Sequence, residues 1–408
     1  MKVNPNMKVS LKDIEMARER LRNIIRPTEL DYSLNGSKSF GVELYLKHEN
    51  SQRTGSFKIR GAYNKVISLT SEEKKRGVVA SSAGNHAQGV ALSSQLAGVQ
   101  STIVMPTTAP LTKVAATKSY GAEVILHGDI YDEAYLKAKE IAENQGKIFV
   151  HPYEDPLVIA GQGTIGLEIF EQVKDLDSII VAVGGGGLIS GVATAIKSLK
   201  SKIKIIGVQS ERASSMVEMF RHQAPKEVSR IYTIADGIAV KKPSQIMFDH
   251  FISTSVDEMV TVSDEQVAGA MVWLLERTKN MVEGAGAAPM AALMNGVIDH
   301  RMLGQKTCVL LSGGNVDLNV ISKVIEKRQI NQGRLADLSV VVEDAPGTLY
   351  RLTKIIADEK ANILQVHHDR VEQGLILREA RVDFLLETMD QAHIERIKIA
   401  LKKAGAKV

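Results

Sequence analysis

The chain has 408 residues, more than one compact core usually holds, so two or three domains are expected. It is 44% hydrophobic and 24% charged with a formal net charge of +4, and it has no basic stripe with interleaved aromatics, which excludes nucleic acid as an implied partner. The single cysteine, Cys308, cannot form an intrachain disulfide or a thiolate zinc site; residues 1–8 lack an apolar signal core and the glycine-bearing stretch 178–196 is a poor membrane span, so a soluble cytoplasmic protein is expected.

Ser10-Leu11-Lys12-Asp13 pairs a hydroxyl cap with an acid three residues on, and Leu11, Ile14, Leu21, Ile24 and Ile25 follow at helical spacing. Val42, Leu44 and Leu46 alternate with Glu43, Tyr45 and Lys47 as in a strand. Short apolar strands at 78–81, 102–105, 123–126, 179–183, 203–208 and 307–311 then alternate with amphipathic helical stretches such as 133–144 and 264–277. This pattern predicts an α/β fold: a largely parallel sheet, helices on both faces, and ligands at the carboxyl ends of the strands. The polar run 327–334 reads as a linker. Beyond it, segments 335–343, 346–358, 362–369, 375–386, 389–404 and 406–408 read as β-α-β-β-α-β, a small separate domain.

Glycine-rich turns follow several of these strands. Gly184-Gly185-Gly186-Gly187-Leu188 lets successive backbone N–H groups converge on an anion at a helix start. It lacks the Lys-Ser/Thr ending of a nucleoside-triphosphate loop, so a compact phosphate monoester fits better than a flexible turn, whose four glycines would cost entropy for no return. Ser81-Ser82-Ala83-Gly84-Asn85-His86-Ala87-Gln88-Gly89 offers hydroxyls, an amide and free N–H groups suited to a carboxylate, or is an ordinary capped loop. Ser312-Gly313-Gly314-Asn315 is a further strand–turn junction. Gly161-Gln162-Gly163-Thr164-Ile165-Gly166 formally matches a dinucleotide fingerprint, but Pro152 and Pro156 precede it where a strand is required. In Ser56-Phe57-Lys58-Ile59-Arg60-Gly61-Ala62, Lys58 alone would be a surface residue; beside a phosphate cradle it becomes a Schiff-base candidate.

Taken together and in this order, the Lys58 segment, the Ser-Ala-Gly-Asn-His loop, the tetraglycine loop and Ser312-Gly313-Gly314-Asn315 resemble the fold-type II (tryptophan synthase beta-like) pyridoxal-phosphate enzymes, nearest the threonine/serine dehydratase branch. Residues 335–408, with Asp344-Ala345-Pro346-Gly347 at the first strand–helix turn, resemble a ferredoxin-like ACT domain. The resemblance implies a catalytic region at 1–328, with a large domain at 1–53 and 155–328 and a small domain at about 54–154 inserted into it. A linker at 329–334 and the regulatory domain at 335–408 would follow.

Carried over residue by residue, the resemblance implies that Lys58 binds pyridoxal 5'-phosphate and later removes the Cα proton. Phe57 would pack on the pyridine ring, and Gly184, Gly185, Gly186, Gly187 and Leu188 would hold the phosphate. Asn85 would meet the phenolic oxygen and Ser312 the pyridine nitrogen. Ser81, Ser82, Asn85 and His86 would receive the substrate carboxylate, His86 as a helix-start contact rather than a base. A neutral hydroxyl at Ser312 makes the ring a weaker electron sink and favours β-elimination over transamination.

Two departures refine this. Ala83 stands where related racemases place a serine and cannot supply a second base. Gln209 and Ser215 stand where that branch places cation-binding carboxylates, with Glu211 nearby but out of register, so no metal is expected. His367 and His368 are adjacent on a strand and point to opposite faces, which disfavours a shared ion. Asp344, Pro346, Gly347 and Asn362 are the expected effector contacts. The implied activity is L-threonine to 2-oxobutanoate and ammonia for isoleucine synthesis, with L-serine as a side substrate. Feedback by a branched-chain amino acid and a homo-oligomer, dimer or tetramer, are the further expectations. A serine dehydratase or serine racemase, or a non-catalytic amino-acid-binding regulator, are the rival readings.

Overall fold

Runs of β-branched and aliphatic residues set the strands, and strands buried along their whole length mark sheets covered on both faces. The computed structural model describes residues 7–222, 231–371 and 374–408; residues 1–6, within the stretch read for a leader, lie outside them. It divides into two units, Met1–Val316 and Asp317–Val408.

In the first unit the strands are β1 (Leu30–Tyr32), β2 (Glu43–Lys47), β3 (Val78–Ser81), β4 (Ser101–Met105), β5 (Glu123–Leu126), β6 (Ile148–Phe149), β7 (Ser178–Ala182), β8 (Lys204–Ser210), β9 (Glu258–Val262) and β10 (Lys306–Leu310). One sheet runs β1-β2-β10-β7-β8-β9, parallel except where β1 meets β2. A second, fully parallel sheet runs β5-β4-β3-β6 and draws all its strands from residues 78–149. Every residue of β3, β4 and β7 is buried. Strands β1, β6 and β9 add to those expected from sequence; β1 and β6 are too short to show a period.

The helices that carry or frame the strand ends are α1 (Leu11–Leu21), α2 (Lys58–Ile67), α3 (Asn85–Ala97), α4 (Pro156–Gln172), α5 (Gly187–Leu199) and α6 (Gly284–Met294). Ser10 caps α1 in a reciprocal box with Asp13. Gly161, Gly163 and Gly166 lie inside α4, so the fingerprint-like spacing is a helix-packing device. A Cβ on Gly161 would sit 2.5 Å from the Arg60 carbonyl oxygen, one on Gly163 2.7 Å from Ile14 Cδ1, and one on Gly166 2.8 Å from Ala195 Cβ. Gly161→Ala is expected to destabilise the protein by about 1–3 kcal/mol, since backbone on the facing helix has no room to yield. Urea unfolding of the variant beside the parent checks this.

The second unit opens with α7 (Leu318–Asn331), followed by β11 (Leu335–Glu343), α8 (Thr348–Asp358), β12 (Asn362–Asp369), β13 (Glu379–Glu387) and α9 (Gln391–Lys403). Its sheet is antiparallel, ordered β11-β13-β12, over a core that includes Val340, Ile356, Phe384 and Ile397. Three sequence expectations need correction. The linker expected at 329–334 is instead the last turn of α7 and a tight turn through Gly333, at φ 66°, straight into β11. Its polarity misleads because only Val324 of α7 is buried. The strand expected from 375 begins at Glu379, after Arg378 takes a left-handed φ of 73°. Residues 406–408 contribute one bridge, Val341 to Lys407, rather than a strand.

Candidate active site

Two adjacent parallel strands, β2 and β10, deliver their following loops to the same place, and these loops are stitched together. Asn50 N donates to Leu311 O (2.8 Å), Phe57 N to Ser312 O (3.1 Å) and Gly314 N to Gly55 O (2.9 Å), while Ser56 bridges Gly313. Thr54 and Gly55 take left-handed φ values of 63° and 68°, turning the chain so that Lys58 begins α2. Asn315 Nδ2 anchors the turn through Thr54 O. Lys58 Nζ makes one long hydrogen bond, 3.4 Å to Pro152 O, and lies 5.1 Å from the centre of the buried Phe57 ring. Dense surroundings disfavour its charge and lower it to about 8, with Glu283 pulling the other way.

The tetraglycine loop joins the carboxyl end of β7 to α5. Gly186 has a φ of 97°, and a Cβ on Gly185 or Gly187 would lie 2.3 or 2.8 Å from Tyr153. Bare backbone is therefore required here. Among the described residues, no carbonyl partner occupies the N–H groups of Gly184, Gly185, Gly186, Gly187 and Leu188, which open the positive end of α5. Such N–H groups can hold an anion.

The Ser81–His86 loop leaves β3 and starts α3. Ser81 Oγ is buried without a hydrogen-bond partner, and Ser82 Oγ accepts from Gly84 N (3.1 Å). His86 is buried with Nε2 2.9 Å from Val150 O, and burial pushes its ring down to about 3. It is a neutral structural contact, not a base. Asn85 is fixed at both ends of its amide: Oδ1 accepts from Asn315 Nδ2 (2.8 Å), and Nδ2 donates to Glu283 Oε1 (2.6 Å). One Nδ2 hydrogen remains for a ligand.

Glu283, which the sequence reading does not single out, is the carboxylate at the centre of this network. It is buried at the start of α6, and a Cβ on Gly313 would lie 2.3 Å from its Oε1. Burial pushes it up to about 7; Asp236 adds to this, while Asn85, Lys113 and Lys58 oppose it. Lys58 reaches Pro152, and a Cβ added to Gly185 or Gly187 would meet Tyr153, one on Gly184 would lie 3.1 Å from Ile238 Cα, and one on Gly237 3.7 Å from Glu283 Oε1. The structure thus brings Lys58, the Ser81–His86 loop, the tetraglycine loop and buried Ser312 together.

Other expected positions have different settings. Gln209 Oε1 accepts from Met216 N and Val217 N (2.9 and 2.8 Å), and Ser215 Oγ donates to Val240 O (3.0 Å), so neutral groups hold this corner. Among the described residues no group of three His, Cys, Asp or Glu side chains could hold a metal, and no helix is long and apolar enough to cross a membrane. The four effector candidates do not form one site within a chain. Asp344 pairs with Arg370 (3.2 Å) beside Pro346 and Gly347, whereas Asn362 opposes Glu387 at the other end of the sheet, about 23 Å away along β12.

Residues 21–313 match the family of pyridoxal-phosphate dependent enzymes, and residues 336–406 match the ACT domain. An L-threonine ammonia-lyase of Thermotoga maritima is 48% identical over 400 residues, covering 98% of this chain and 99% of that protein. Among solved structures, a threonine deaminase isoform 2 of Solanum lycopersicum aligns with a TM-score of 0.74 and 35% identity, over 81% of this chain and 94% of that one. Maize serine racemase aligns with a TM-score of 0.74 and 32% identity, over 79% and 98%. The chain belongs to the pyridoxal-phosphate dependent enzymes and carries an ACT domain at residues 336–406.

The residues present fit that cofactor. Gly185 and Gly187 leave no room for a Cβ, one Asn85 amide hydrogen is spare, the buried Ser81 hydroxyl has no partner, and Lys58 is an amine of lowered basicity.

Proposed function

We propose that this chain converts L-threonine to 2-oxobutanoate and ammonia, with L-serine as a side substrate. The observation that carries this is a buried, weakly basic Lys58 amine that bonds Pro152 O and couples electrostatically to His86, while the neighbouring Tyr153 packs over the tetraglycine turn. Pyridoxal phosphate, when bound, supplies an electron-withdrawing ring that acidifies the Cα–H of an amino acid. Lys58 would hold the cofactor through Nζ, the N–H groups of Gly184, Gly185, Gly186, Gly187 and Leu188 its phosphate, Asn85 its phenolic oxygen and Ser312 its ring nitrogen, against Phe57.

The protein groups then divide the work. Ser81, Ser82, Asn85 and His86, at the N-terminus of α3, receive the substrate carboxylate on N–H and hydroxyl donors. Lys58 would take the Cα proton of the bound substrate; an amine lowered to about 8 is a competent base near neutral pH. Ala83 offers no acceptor on the opposite face, so the proton is not returned from that side and elimination of the β-hydroxyl wins over racemisation. Ser312 is buried and uncharged, so it would meet the ring nitrogen with a neutral hydroxyl rather than a carboxylate.

We place residues 54–154 as the smaller lobe of the catalytic part. The ACT domain would sense a branched-chain amino acid such as isoleucine in a homo-oligomeric, cytoplasmic enzyme of isoleucine synthesis. Sensing requires that the effector bind one of two states better. The test is a spectrum and an assay: absorbance near about 410–420 nm, as protonated pyridoxal imines give, and 2-oxo acid release faster from L-threonine than from L-serine. D-serine accumulating from L-serine would favour the racemase; protein that stays colourless with added cofactor would favour the regulator.

A further inference from the structure

We propose that a buried, charge-balanced network centred on Arg60 positions Lys58 for its reaction. This rests on the assignment of Lys58 made above. Arg60 lies two residues after Lys58 in the first turn of α2, and its side chain is fully buried. Nε and Nη2 grip the Glu49 carboxylate (2.8 and 2.7 Å), Nη1 and Nη2 grip that of Glu168 (2.6 and 2.9 Å), and Nη1 also donates to Thr164 Oγ1 (3.1 Å). Those five bonds use every N–H the guanidinium has. Lys47 Nζ spends its three hydrogens on Thr28 O (2.7 Å), Glu168 Oε2 (2.8 Å) and Gln172 Oε1 (3.0 Å), and Thr28 Oγ1 donates to Glu49 (2.6 Å). Two cations meet two anions, and no donor of either cation is left over.

Such a network is a costly way to gain stability. Removing these charges from water offsets much of their attraction, and apolar side chains of equal volume often do as well. What two bidentate forks supply is orientation. Here they lock α2 to the end of β2, to the Glu49 turn and to α4 at once. The same turn is also packed backbone to backbone against α4, where the Arg60 carbonyl faces Gly161 with no room for a Cβ. Lys58 starts the clamped helix, and a flexible side chain reaches its target only as well as its backbone is held. Displacements near 1 Å can cost about 10²-fold in rate. Arg60 touches neither the glycine cradle nor the Ser81 loop; it is a positioning residue.

The test compares three variants of the holoenzyme by thermal midpoint, kcat, KM and the pH midpoint of the bound cofactor's visible band. Arg60→Lys keeps the charge and loses the fork. Glu168→Gln is isosteric and sits where water already reaches the side chain, so it serves if Arg60→Lys does not fold. Leu167→Ala opens a cavity on α4 where Leu167 packs with Ile14, Ala17 and Ala195; it adjoins Glu168 in sequence but makes none of the network's hydrogen bonds, and serves as a stability control. Arg60→Lys and Glu168→Gln are expected to lose kcat on the order of 10²- and 10-fold with KM changed less than about threefold, and to move the pH midpoint. Leu167→Ala is expected to lose stability with kcat and midpoint unmoved. Wild-type kcat and midpoint in the folded network variants, or an equal kcat loss in Leu167→Ala, would overturn the positioning role alone. A wild-type protein without a visible band would overturn the Lys58 assignment as well.

Discussion

Lys58→Ala is expected to lower turnover of L-threonine by about 10⁴-fold or more, because it deletes both the cofactor's covalent anchor and the base. The variant should still fold. Lys58 Nζ contributes one 3.4 Å hydrogen bond, and its surroundings hold the amine at about 8 against an ordinary 10.5. The sign follows from proton binding. Between those values the unfolded chain holds a proton that the folded chain has released, so wild-type stability without cofactor rises with pH across that window. Below about 8 the folded state carries a charge it disfavours. Cofactor-free Lys58→Ala at pH 7 is therefore expected to be at least as stable as wild type, and to lack the rise above pH 8. Thermal unfolding at several pH values, beside a 2-oxo acid assay, checks both halves; near-normal turnover would remove Lys58 from its role.

The sequence makes this lysine legible because its partners are contiguous motifs. Four adjacent glycines after an apolar strand, and Ser-Ala-Gly-Asn-His after another, announce themselves at short range. The fully buried strands β3, β4 and β7 read clearly for the same reason: a parallel strand covered on both faces is an unbroken apolar run. What failed to show are pairings made only by the fold. Arg60 and Glu168 stand 108 positions apart, and Asn85 and Glu283 stand 198 apart, so no local pattern couples them. Glu283 ends an exposed-looking Lys-Asn-Met-Val run, and only the burial of Val282 and of α6 after it shows the carboxylate to be interior. The α4 glycines are the reverse case, a motif-like spacing that the preceding prolines already argued against and whose cause is helices in close contact. In the second unit, α7 hid behind its polarity, because a helix with one buried residue leaves almost no period to read.

Glu283→Gln should separate the stability of this site from its chemistry. In the cofactor-free protein the carboxyl is raised to about 7 from an ordinary 4.5, chiefly by burial. A folded chain that keeps its proton longer than the unfolded one loses stability as pH rises from 4.5 to 7. That 2.5-unit interval corresponds to about 3 kcal/mol. Glutamine carries no such proton, so the variant's stability relative to wild type is expected to improve by about 3 kcal/mol between pH 4.5 and pH 8. Lys58 contributes in the same direction, since losing Glu283 disfavours its ammonium form further and confines that penalty to lower pH. Function should move the other way. The glutamine oxygen can still accept from Asn85, but the negative charge that holds Lys58 up to about 8 is gone. The pH midpoint of the cofactor's visible band is therefore expected to fall, with kcat reduced on the order of 10-fold. Urea unfolding of cofactor-free protein across that pH range, and pH titration of the holoenzyme's spectrum, measure the two arms. Parallel stability curves for variant and wild type would mean that Glu283 is ionised throughout, and that Asn85 is held by an ordinary charged partner.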